Sequence, residues 1–125
     1  MIIQWKNLMM QYESNDFDKK FDEFLEGCQK IVDEGMRNYE WEHKLITRKG
    51  SKYIKIISED VGMGNSNSRR VWGFVDRSNG DILKPANWKS PAKHNRGNIF
   101  DEDPLLFIGQ YGPAYMDQIK KYYGA

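Results

Sequence analysis

The chain has 125 residues, 39% of them hydrophobic, 14% aromatic and 30% charged, with a single cysteine and a formal net charge of +1. That length suits one domain able to close a core without disulfide or metal, and the aromatic content excludes a disordered chain. Apolar runs of three or four residues exclude a membrane span, and the lone Cys28 excludes an intramolecular disulfide and points to a reducing compartment.

The opening Met-Ile-Ile-Gln-Trp-Lys lacks a basic region followed by an apolar stretch, so no signal peptide is expected. Residues 1–12 place Trp5, Leu8, Met9 and Tyr12 near helical spacing only weakly. Residues 1–15 are read as an N-terminal segment ahead of a single α+β domain spanning 16–125. From Phe17 the pattern is clear: Phe17, Phe21, Phe24, Leu25, Cys28, Ile31, Val32 and Met36 form one helical stripe. Ser14 or Asn15 is the expected cap, Asp16 and Asp18 suit the first turn, and Gly35 or Asn38 is the expected stop. This part of the chain is acidic: residues 1–42 hold ten Asp or Glu against five Lys or Arg, a balance of −5.

The period then changes. Residues 42–48, 52–58, 70–76 and 81–84 are short β-branched or aromatic segments between turn residues. Lys49-Gly50-Ser51 predicts one hairpin and Ser78-Asn79-Gly80 another, the latter with both Asn79 and Gly80 at positive φ. Strict alternation in the third segment sets Trp72 and Phe74 on one face and Val71 and Val75 on the other. Both faces are apolar, which predicts a central strand with the helix on one side and the chain after 84 returning across the other. Pro113 to Tyr123 predicts a short C-terminal helix with Tyr115, Ile119 and Tyr122 on one side. The expected fold class is α+β, an N-terminal amphipathic helix packed on an antiparallel sheet of three to four strands. The sheet region is basic: residues 43–98 hold twelve Lys or Arg against four Asp or Glu, a balance of +8. The near-zero net charge thus conceals an acidic arm on a basic body.

Within the body, residues 82–98 carry four Lys or Arg, one His and no acid. Pro85 and Pro91 forbid a continuous helix or central strand and predict a stiff, extended loop. Spaced cations with Trp88 suit a phosphate-bearing ligand, the cations meeting phosphate and the indole stacking on a base. The candidate ligand residues are Lys84, Trp88, Lys89, Lys93, His94 and Arg96, with Arg69 and Arg70 adjoining. The alternative is structural: Trp88 plugs the sheet, the lysines are solvated, and Arg96 pairs with Asp101 or Glu102. The glycine-rich stretch 61–70 could offer backbone N–H groups to phosphate, but it lacks a Walker ending. Cys28 lies on the apolar stripe and reads as core, and Asp101-Glu102-Asp103 reads as a solvated turn. His94 beside Lys93 permits a general base without indicating one. No catalytic residue, metal or cofactor is assigned.

The stretches 69–76 and 78–101, centred on Leu83-Lys84-Pro85-Ala86-Asn87-Trp88-Lys89-Ser90-Pro91-Ala92-Lys93-His94, resemble the hallmark segment of a family of small tailed-phage proteins. Tyr111-Gly112-Pro113-Ala114-Tyr115-Met116 resembles that family's ending, and the likeness covers about residues 16–123, which implies that residues 1–15 are a variable N-terminal segment. Asn87 and Ser90 stand where Ser and Ala are usual in it, and Asn95 where Ala is common. The resemblance implies a phage origin and expression in the host bacterial cytoplasm; it implies no catalytic role.

The resulting expectation is a non-enzymatic phage accessory protein that binds nucleotides or nucleic acid through the basic loop. One version sequesters a nucleotide signal of bacterial immunity, with homo-oligomerisation closing its pocket. The alternatives are a single-stranded nucleic-acid-binding accessory of replication and an inhibitor that docks a host protein through the acidic helix. No membrane partner is expected.

Overall fold

The computed structural model describes residues 2–38, 42–61 and 68–124, with 2–15 described as backbone. Its elements are α1 (Ile2–Gly35), β1 (Glu42–Lys49), β2 (Tyr53–Val61), β3 (Arg69–Asp76), β4 (Ile82–Leu83), β5 (Ile108–Gly109), β6 (Gly112–Pro113) and α2 (Met116–Tyr122). This is an α+β fold, with β1 to β4 forming an antiparallel meander in chain order and β5–β6 a separate two-stranded ribbon. None of the described helices is long and apolar enough to cross a membrane.

Helix α1 is longer than its stripe predicts. The expected cap at Ser14 or Asn15 lies inside it, because the chain up to Gly27 contains neither proline nor glycine to stop the backbone from propagating. It ends at Gly35, as expected. Phe21, Phe24, Cys28 and Val32 bury its stripe against Leu45, Ile54, Ile56, Trp72, Val75, Ile82 and Ile99. Gln29 pins the helix to the edge strand: its Nε2 donates to the His43 carbonyl at 2.8 Å, and Leu45 N–H donates to its Oε1 at 2.8 Å. The side-chain amide thereby takes up edge groups that a further strand would have paired.

Three expectations are corrected within the sheet. In the β3–β4 turn only Gly80 has positive φ (+85°), while Asn79 uses its Oδ1 to accept from Asp81 N–H at 2.8 Å. In β3 the register shifts: Ile56 pairs with Gly73 but Ile57 pairs with Val71, leaving Trp72 as the extra residue of a bulge. A bulge resets the alternation, so Trp72 joins Val75 in the helix-side cluster and separates from Phe74. Of the chain after β4, the 85–91 hairpin reaches the far face with Trp88, but the rest does not follow it there. Ile99, Leu105 and Ile108 join the helix-side core instead.

Two kinds of glycine let it do so. A Cβ on Gly27 would stand 2.6 Å from Leu105 Cδ1, so the bare helix surface admits the returning chain. Gly112 has φ +117°, and a Cβ there would lie 2.5 Å from the Trp72 carbonyl oxygen. The Trp72 indole donates to the Gln110 carbonyl at 3.1 Å, tying the β5–β6 turn to the bulge. Pro113 pairs with Ile108 in the ribbon, which delays α2 to Met116. Only Ile119 of the expected apolar side of α2 is buried; Tyr115 and Tyr122 are exposed.

Candidate functional site

The proline loop is a closed hairpin, not an extended strap. Pro85 and Pro91 face each other in a bridge, and Ala92 N–H donates to the Lys84 carbonyl at 2.7 Å. At the tip, Asn87 Oδ1 accepts from the N–H groups of Lys89 and Ser90, both at 2.9 Å. The chain then returns beside β4, where Arg96 N–H donates to the Ile82 carbonyl at 2.7 Å and Ile82 N–H to the Gly97 carbonyl at 2.9 Å. The two prolines bracket a turn held by its own asparagine.

This hairpin divides the expected site between the two faces of the sheet. Leu83 pairs with Phe74, so Lys84 projects to the opposite face, towards Gly73 and Pro113. Its ammonium donates to the Pro113 carbonyl at 2.9 Å and lies 4.0 Å from the centre of the Tyr115 ring. Arg70, opposite Ser58, shares that face, with its guanidinium 5.3 Å from the Tyr111 ring centre. Arg69 points the other way and pairs with Glu59 at 3.6 Å. Trp88 also belongs to the other face, its ring 4.5 Å from the Lys55 ammonium, and remains 39% exposed. Its expected role as a plug is met only in part. Lys89, Lys93 and His94 are exposed, and His94 holds a left-handed φ of 71°.

Arg96 differs from the other cations because it is 6% exposed. Its Nε donates to the Ala114 carbonyl at 3.2 Å, and its Nη1 donates to the carbonyls of Lys93, at 2.7 Å, and His94. It therefore closes the 93–96 turn onto the 112–115 segment; among the described residues it makes no ion pair with Asp101 or Glu102.

Lys84 lies in a groove of about 420 Å³ lined also by Phe107, Gln110, Tyr111, Tyr115, Gln118 and Tyr122. Among the described residues no carboxylate lines it. Burial holds the Lys84 ammonium below its ordinary pKa, and the charges of Arg96 and Arg70 add to the effect. Burial likewise lowers Arg96, which as a guanidinium keeps its charge. Among the described residues none of these three cations has an acidic partner. Lys84 without an acidic partner, with Arg70 nearby and exposed aromatic rings beside both, can chemically meet an anion that carries a flat ring. Tyr111 is 61% exposed and Tyr115 65%.

Of the candidate residues only Lys84 lines the groove, with Arg70 beside it at Tyr111; Arg96 lines a separate cavity together with Asp101 and Asp103, and Trp88, Lys89, Lys93, His94 and Arg69 lie outside the groove. The glycine-rich stretch falls largely on residues 62–67, outside the described residues. Sequence reasoning missed the tyrosine walls. Their signal was present as five aromatic residues in 107–123, but the helical reading of 113–123 placed Tyr115 and Tyr122 beside Ile119 on one helix side and left Tyr111 out.

A family model described as "Family of unknown function (DUF7717)" matches residues 2–106. The match takes in the N-terminal segment that the phage resemblance left aside, and it ends before the groove's tyrosines. No curated protein and no solved structure matches the chain.

Proposed function

The chain belongs to that family of unknown function, and from its own geometry we propose a non-enzymatic binder of nucleotides, foremost single-stranded nucleic acid. The observation that carries this is the groove, free of carboxylates among the described residues, in which Lys84 lies 4.0 Å from the Tyr115 ring centre, with Arg70 beside it at Tyr111. Phosphate oxygens replace the missing counter-charge, and unpaired bases stack on the tyrosine rings. The groove is rimmed by exposed side chains, which favours a strand passing through it over a small nucleotide signal sealed inside a protomer. The resemblance of 69–101 to tailed-phage proteins supports placing this activity in an infected bacterial cytoplasm. The reading in which the acidic helix docks a host protein is weakened by Lys20–Glu23, Lys30–Glu26 and Arg37–Glu34, which pair three of the eight carboxylates of α1.

Fluorescence anisotropy with labelled oligothymidylate tests the proposal. Binding is expected to weaken with salt at a log–log slope of about −2, as two or three phosphates displace counterions at about −0.7 each. Lys84→Gln combined with Tyr115→Ala is expected to weaken it at least about tenfold. If neither oligonucleotides nor cyclic dinucleotides bind, the proposal falls.

A further inference from the structure

We propose that the sheet face opposite α1 carries a second contact for single-stranded nucleic acid, built from Trp88, Lys55, Arg48 and Tyr53. The groove reading supplies the ligand class; the observations that locate this second contact are independent of it. Register places Arg48, Lys55 and Phe74 in one row across β1, β2 and β3. Arg48 and Lys55 are thus like charges directly opposite each other, an arrangement that weakens a sheet unless an anion lies between them. Among the described residues no carboxylate pairs with Arg48, Lys52, Lys55 or Lys89. The acids nearest in register are occupied: Glu59 is paired with Arg69, and Asp76 Oδ1 accepts from the N–H and hydroxyl of Ser78.

Aromatic planes alternate with these cations. Trp88 stands over Lys55 at 4.5 Å, and the Lys52 ammonium lies 5.3 Å from the Tyr53 ring centre. Bases can stack on Trp88 and Tyr53 while the phosphates between them meet Lys55 and Arg48; a duplex, whose bases are already stacked, cannot use the rings in this way. The 85–91 hairpin joins the two contacts around the β4 edge, with Lys84 on the groove side and the exposed Lys89 beside Trp88. A strand too long for the groove therefore has a cationic path to the second face.

Two labelled oligothymidylates, of about four and about fifteen nucleotides, separate the contacts, since such lengths bracket the site sizes of single-strand binders. Trp88→Ala and the double variant Arg48→Gln with Lys55→Gln are expected to weaken the long strand about tenfold and leave the short one unchanged. Trp88→Phe, which keeps a stacking ring, is expected to bind like the parent protein, and unchanged melting temperatures establish that the variants are folded. Parental affinity of both variants for the long strand, or equal affinity for a duplex, overturns this proposal. Loss through Trp88→Ala with no loss through Lys84→Gln overturns the groove reading and leaves this one standing. Absence of binding to either oligonucleotide overturns both.

Discussion

Arg96 and Lys84 illustrate how one kind of charge takes two roles. Arg96 spends its donors on the carbonyls of Ala114, Lys93 and His94 and is buried, whereas Lys84 spends one donor on Pro113 and faces the groove. Arg96→Met strands those carbonyls, so it is expected to lower the unfolding free energy by about 3 kcal/mol in urea titrations, the range for buried polar groups left unpaired. Lys84→Gln, by contrast, is expected to change ligand affinity far more than stability. Cys28 lies at the other extreme: burial in an apolar setting pushes its thiol well above the ordinary 9.0. A group whose folded pKa is raised contributes stability that is complete below its unfolded pKa and is lost as pH rises above it. The stability difference between the parent and Cys28→Ala should therefore shift against the parent above pH 9, by up to about 1.4 kcal/mol per pH unit. Lys84 runs the opposite way, since its lowered pKa costs stability while it is charged and that cost is relieved towards pH 10.5. Urea midpoints of parent and variant between pH 7 and 10.5 separate the two.

Among the elements, the β3 bulge and the β5–β6 ribbon together build the groove. Skipping Trp72 turns its indole to the helix side, where its N–H holds Gln110 and so sets Tyr111 near Arg70. Gly112 makes the approach possible, with a positive φ and the Trp72 carbonyl where a side chain would begin. Gly112→Ala is therefore expected to destabilise the fold by about 2–4 kcal/mol, through backbone strain added to a clash. A melting temperature within a degree of the parent's would show that the ribbon does not seat on β3 in this way. Helix α1 teaches the complementary lesson about boundaries. A plausible cap at Ser14 is only a cap if the preceding chain leaves the helix, and nothing in residues 2–13 compels it to.

For the molecule as a whole, the acidic arm and basic body are two sides of one fold. The helix buries its apolar stripe and pairs part of its own charge, while the sheet and hairpin carry cations on both faces. On the proposed reading, a strand held by these cations is kept off the exposed carboxylates of α1 by repulsion.

Much of this was legible in the residues. The helical stripe, the four strand segments, both hairpins and the cationic proline-flanked stretch follow from periodicity, turn chemistry and charge, which act over a few neighbouring residues. Lys84 and Arg70 could be named as candidate cations for the same reason. The groove could not, because its walls come from Tyr111 and Tyr115 and its cations from Arg70 and Lys84, and only packing makes these neighbours. The bulge was equally hidden: one unpaired residue inverts which side chains share a face, and that choice is made by the fit of Trp72 against the returning chain. Local sequence determined the elements and the sign of the charge; tertiary packing decided which cations face one another, and on which side of the sheet.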